Sequence, residues 1–293
     1  MKEKNVDESQ MISQSAVVSV ETEGSDVVVV SGHQNSMNSD YFSALDFSKI
    51  EATMESLLKA GTHFGHTKSR RHPKMDSFVY TTRNGLNIID LKKSLEGLES
   101  AAAFLASVKK SGKAILCVGT KRQTHDLIRS FAKRFDLPFV VDRWLGGTFT
   151  NFSVICGRTK YLRETGEKLA RGEYKHYTKF ERMKIGENLE KLEKRMGGIK
   201  NMKDLPGAIV IADVKESSIV VREARRAGIP IVGVVDTNAD PSAIDYPIPG
   251  NDDAISSLRL LFAYMGKAID AVKVAPTPVV APLVSSANAT RVK

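Results

Sequence analysis

Residues 207–236 read GAIVIADVKESSIVVREARRAGIPIVGVVD. Two short apolar runs, GAIVIAD (207–213) and IPIVGVVD (229–236), flank a helical stretch over about 217–227. Runs apolar at successive positions suit strands covered on both faces, as in a parallel sheet. Gly228 stands where a helix closes on a left-handed residue, with Pro230 soon after. Strand, helix, strand is the βαβ unit, whose crossover is right-handed.

The same alternation extends both ways. Upstream lie AILCVG (114–119), a helix over 122–134 with Leu127, Ile128 and Phe131 inward, and PFVV (138–141). A helix over about 91–110 is apolar at Leu91, Leu95, Leu98, Ala102 and Leu105, and a last helix spans about 253–270. Before these, FVYTTRNGLNIIDL (78–91) reads as a hairpin turning at Asn84-Gly85. The fold class is α/β: a parallel sheet sandwiched by helices.

Residues 151–200 break the rhythm with two helical segments and no strand. Ile155, Leu162 and Leu169 stand seven apart; Ile185, Leu189, Leu192 and Met196 follow at steps of four, three and four. Such seams predict an inserted antiparallel helical hairpin, coiled-coil-like, turning near 171–174 and projecting from the sheet. The α/β domain is then 51–150 with 201–272, and the hairpin 151–200. Polar composition predicts a disordered extension over 1–50, with a transient strand at Val27 to Val30, and a disordered tail over 273–293.

The chain has 293 residues and a net charge of +9. Residues 1–50 hold three lysines against eight acids, a balance of −5, so the rest carries +14. A basic body favours a polyanionic partner. The two cysteines form no disulfide framework or metal spacing, and Cys117 reads as a small buried hydrophobe. This usage fits a reducing compartment. No run approaches the roughly 18 apolar residues of a membrane helix, and the acidic start fits no signal or transit peptide. The expectation is a soluble cytoplasmic protein.

The glycine signals exclude more than they assign. No G-x-G-x-x-G and no Walker loop occurs. Gly119-Thr120-Lys121-Arg122-Gln123-Thr124 opens a helix after a strand, where N–H groups and the dipole attract phosphate; the plain alternative is a turn with solvated charges. VVDRWLGGTFTNF (140–152) lacks a third glycine. It reads as a junction: Trp144 and Phe149 anchor the hairpin's base, and Thr150 or Asn151 caps its first helix.

THFGHTKSRRHPKM (62–75) gathers His63, His66, Lys68, Arg70, Arg71, His72 and Lys74. It reads as a basic loop; the histidines lack a third zinc ligand at motif spacing. Asp213 and Asp236 end apolar strands. Carboxylates there hold Mg²⁺, act as bases, or cap helices, and the capping role is favoured. Asn251 reads as a cap for the last helix, with Asp252 and Asp253 complementing its dipole. No catalytic triad has a local signature. No cofactor is assigned, although a structural Mg²⁺ or Zn²⁺ stays open.

Three runs carry a resemblance: LLKAGTHFGHTKSRRHPKM with FVYTTRNGLNIIDLKKSL, then VVDRWLGGTFTNF, then GIPIVGVVDTNADPSAIDYPIPGNDDAI. Together, over roughly 54–271, the chain resembles the bacterial-type family of small-subunit ribosomal protein number two. The resemblance implies a flavodoxin-like sheet with an inserted helical hairpin. It implies binding to small-subunit ribosomal RNA, a place on the solvent side where head meets body, and docking of the large ribosomal protein number one. It implies a monomer within the ribosome beside neighbouring small-subunit proteins, and no membrane. The acidic extension lies outside it.

On that reading Lys68, Arg70, Arg71, Lys74, Arg83, Lys121, Arg122, Arg143, Arg158 and Lys160 are expected at phosphates. Asn84, Thr148 and Asn151 are expected to add neutral hydrogen bonds. The competing readings are an α/β enzyme binding a nucleotide or sugar phosphate through Asp213 and Asp236, and a protein scaffold using the hairpin.

Overall fold

The computed structural model describes residues 41, 42 and 45–272. A short helix, α1 (Met54–Lys59), opens on a capping box between Thr53 and Ser56. Three strands follow: β1 (Phe64–Thr67), β2 (Val79–Arg83) and β3 (Leu86–Ile89). They form a small antiparallel sheet in the order β1-β3-β2. The expected hairpin joins β2 to β3. Asn84 and Gly85 have φ of 50° and 77°, the two positive angles that a two-residue twisted turn demands.

Helix α2 (Leu91–Lys110) starts at Asp90, whose carboxylate accepts the Lys92 N–H at 3.0 Å. The alternating elements come next: β4 (Ile115–Val118), α3 (His125–Phe135), β5 (Phe139–Val140), then the helix pair α4 (Phe152–Ala170) and α5 (Lys179–Met196). After the pair come β6 (Ala208–Ile211), α6 (Ser218–Ala227), β7 (Ile231–Val235), β8 (Tyr246–Pro249) and α7 (Ile255–Asp270). The second sheet is parallel throughout, in the order β5-β4-β6-β7-β8. Renumbered from its first strand this is 2-1-3-4-5, the flavodoxin-like order.

The continuous apolar runs now have their reason. In β4, Ile115 and Cys117 face one core and Leu116 and Val118 the other. In β6, Val210 and Ile209 divide the same way. Leu98 of α2, Phe131 of α3 and Phe262 of α7 fill the first core. Val220 and Ala224 of α6 fill the second, with Ile155 of α4 and Met196 of α5. Burial pushes the Cys117 thiol up to about 12, as expected for a small core hydrophobe. The helix pair stands in the chain where a single crossover helix from β5 to β6 belongs. Its two helices are in contact, and Leu162 and Leu189 are buried.

Residues 1–50 are expected as a disordered extension, and that boundary is corrected. Phe42 is fully buried and Phe47 only 3% exposed. The Phe42 ring meets the edge of Phe131 at 5.6 Å, and Phe47 meets Phe135 at 5.1 Å. Lys267 Nζ donates to the Ile50 carbonyl at 2.7 Å. Residues 41, 42 and 45–50 are thus a latch on α3 and α7. Residues 1–40, with the valine run, and the tail 273–293 lie outside the described residues. Among the described residues no helix is long and apolar enough to cross a membrane.

Candidate nucleic-acid interface

In a 2-1-3-4-5 sheet the ligand crevice lies beyond the carboxyl ends of the strands, at the switch between β4 and β6. Here side chains of the chain itself fill that place. Lys121, one turn past β4, contacts Asp252 at 3.3 Å, Asp213 at 3.9 Å and, most closely, Asp253. His66 of β1 binds Asp236 through Nδ1 at 2.9 Å and Asp253 through Nε2 at 3.4 Å. The His66 N–H donates to Thr237 Oγ1 at 2.9 Å, which fixes the small sheet to the end of β7.

The electrostatics follow from burial and sign. The hydrogen bond to Asp236 raises the His66 pKa, more than burial lowers it. Burial, then the neighbouring Asp213 and Asp236, push Asp252 up to about 7. Burial works against the Lys121 charge, but Asp253, Asp252 and Asp213 outweigh it and raise its pKa. The hydrogen bond from Lys121 in turn lowers Asp253. One ligand atom each from His66, Asp236, Asp252 and Asp253 lie within 4.8 Å of one another. An imidazole with three carboxylates is a donor set that a divalent cation accepts. Such a cation would compete with Lys121 and with the His66 proton.

Capping explains part of this cluster. Asp213 Oδ1 accepts the Glu216 N–H at 3.0 Å, the favoured cap-like role. Asn251 Oδ1 accepts the N–H groups of Asp253 and Ala254 at the entry to α7. Asp252 and Asp253, expected to complement the α7 dipole, turn instead to Lys121 and His66. No local signal predicts that arrangement, since His66 and Asp236 are 170 residues apart.

The Gly146-Gly147 loop does cradle an anion, and the anion is the chain's own. The Gly147 N–H donates to Glu223 Oε1 at 2.7 Å, and the Phe149 N–H to Oε2 at 3.2 Å. Gly147 has φ of 88°, where a side chain would be strained. Trp144 and Phe149 are buried with ring centroids 4.9 Å apart, in the same core as Ile155 and Met196. They anchor the base of the helix pair. Asn151 occupies the N-cap position of α4 without a side-chain cap bond.

The expected contact residues separate into groups. Thr148 is corrected: it is 2% exposed and its hydroxyl donates to the Leu145 carbonyl at 2.6 Å, so it faces the interior. Arg71 binds Asp76 at 2.6 Å and Lys74 binds Asp240 at 2.9 Å; the Lys74 hydrogen bond holds Asp240 well below the usual carboxylate range. Lys121 is held by its carboxylates, and Lys160 lies 3.8 Å from Glu164. Lys68, Arg70, Arg83, Arg122, Arg143 and Arg158 are exposed, with no ion-pair partner among the described residues. Asn84 and Asn151 are exposed as well. The Lys68 N–H donates to the Gly85 carbonyl at 2.9 Å, so one end of the small sheet gathers Lys68, Arg70, Arg83 and Asn84.

The model of the ribosomal protein S2 family matches residues 57–271. Small ribosomal subunit protein uS2 of Roseiflexus castenholzii is 48% identical over 216 residues, covering 74% of this chain and 82% of that protein. The like-named protein of Borrelia hermsii is 45% identical over 217 residues, covering 74% and 85%. That of Amoebophilus asiaticus is 42% identical over 221 residues, covering 75% and 71%. The matched span runs from α1 through α7, across both sheets and the helix pair, and the chain therefore belongs to the ribosomal protein S2 family.

Proposed function

We propose that this chain is a structural constituent of the small ribosomal subunit, held there by small-subunit ribosomal RNA. Membership of the ribosomal protein S2 family carries the proposal. The basic body supports it: with +14 outside the first 50 residues, phosphate neutralisation and counterion release supply the affinity. The contacts fall to the exposed cations Lys68, Arg70, Arg83, Arg122, Arg143 and Arg158, with Asn84 and Asn151 beside them. Arg71, Lys74, Lys121 and Lys160 already face carboxylates and rank below them. Recognition rests on shape, backbone and 2′-hydroxyls, since side chains do not reach into the deep groove of duplex RNA.

The reading as an enzyme loses its place. A nucleotide in the crevice at β4 and β6 would have to displace Lys121 from three carboxylates, and the family is one of ribosomal structural proteins. The cytoplasmic ribosome, neighbouring small-subunit proteins, the large ribosomal protein number one and a projecting hairpin arm belong to the proposal through kinship. The tagged chain should sediment with small subunits in cell extract, and Arg70→Ala with Arg83→Ala should weaken that association at an unchanged melting temperature. Free migration of the wild-type chain would sink the proposal.

A further inference from the structure

The connection between α4 and α5, together with the first turns of α5, carries rings that no core explains. Leu162 and Leu189 are the buried apolar residues of the pair outside the second core. Beyond them, Phe180 is 61% exposed, Met183 54% and Tyr177 39%. Tyr174 and Tyr177 meet edge to face at 5.3 Å, and His176 stands 4.6 Å from Tyr177. Lys184 Nζ lies 5.3 Å from the centre of the Phe180 ring. Over 171–184 five cations stand against two acids, and Glu181 is committed to capping α5 through Thr178. Arg171 lies 3.5 Å from Glu167; Lys175, Lys179, Arg182 and Lys184 are exposed.

We propose that this connection is a stacking platform for unpaired RNA bases. The inference rests on the RNA-binding reading and adds a second mode to it. Cations alone would serve a duplex, whose backbone is read by charge and shape. Exposed rings among cations serve single strands, because every base offers a π-face and the phosphates lie beside it. A protein helix or groove is the poorer occupant. It needs apolar residues along one face at steps of three and four, whereas Phe180 and Met183 are followed by Lys184 and Glu187. The ring pairs at Tyr174, His176 and Tyr177 are formed before any base arrives, which lowers the ordering cost of binding.

The test uses the full chain and a labelled oligouridine at low salt. Tyr177→Ala with Phe180→Ala should weaken binding about tenfold, the loss expected for one stacked base. Duplex RNA of the same length should bind as it does to the wild type. Tyr177→Trp with Phe180→Trp should restore oligouridine binding, and melting temperature should not move. Unchanged oligouridine affinity in the double alanine variant overturns the proposal, as does failure of the wild type to bind oligouridine. Loss of sedimentation with small subunits while oligouridine affinity holds would also overturn it, in favour of a protein contact. Binding of the wild type to small-subunit RNA, measured alongside, reports on the earlier reading separately.

Discussion

Glu223 has two backbone partners and one job. Its carboxylate accepts from Gly147 and Phe149, so the loop between β5 and α4 keeps its shape without an outside anion. Glu223→Ala leaves two part-buried N–H groups without acceptors, at about 1–3 kcal/mol. Urea denaturation should show a loss in that range, with Trp144 fluorescence reporting the loop. Lys121 is the second decisive residue. Lys121→Met leaves Asp213, Asp252 and Asp253 facing one another, at about 3 kcal/mol at alkaline pH. Lys121 holds the Asp252 carboxyl down, so its loss lets Asp252 take up a proton at higher pH, and the deficit should shrink as pH falls towards about 7. In the wild type the folded pKa values of Asp252 and His66 are both raised. The fold then binds protons that the unfolded chain releases, so these groups stabilise at low pH. For Asp252 that contribution fades from the ordinary carboxylate range up to about 7, and for His66 as pH passes its raised value. Denaturation at a series of pH values checks the slope. None of this was legible locally: the cluster joins residues from the two ends of the body, and Glu223 looks like a solvated helix residue in sequence.

At the scale of elements the alternation of strand and helix was plain, because strands covered on both faces are apolar at every position. β8 was hidden by Pro247 and Pro249, which read as breakers. It lies at the sheet's edge, where a missing N–H on the outer side costs no ladder bond. β1 was hidden by its basic surroundings, and its four residues are too short for any period. The helix pair was visible through its seam. Leu189→Ala should cost about 2–5 kcal/mol within the pair. Hydrogen exchange should quicken in α4 and α5 while β6 and β7 keep their protection; equal quickening in the sheet would mean the pair is not a separate packing unit.

By charge the sequence divides into an acidic arm, residues 1–50, and a basic remainder; Phe42 and Phe47 of the acidic stretch are buried against Phe131 and Phe135 of α3. Single aromatic residues in a polar stretch gave no period to read, so the latch appears only once α3 and α7 offer Phe131, Phe135 and Phe262. Removing residues 1–40 should leave the melting temperature unchanged. Removing 1–50 also takes both rings out of the core, at about 3–5 kcal/mol each, and calorimetry of the two truncations separates the cases. Like charge should keep the arm away from RNA, so the shorter truncation should still sediment with small subunits.

The measurement that bears most directly on the account is the affinity for small-subunit ribosomal RNA as a function of salt. If the exposed cations make about 6–10 phosphate contacts, affinity should fall about 10³- to 10⁵-fold between roughly 50 and 200 mM salt. Replacing Arg70 and Arg83 by Ala should make that slope shallower. A nearly flat response, or a slope untouched by both substitutions, would contradict the claim that this basic surface holds the protein on RNA.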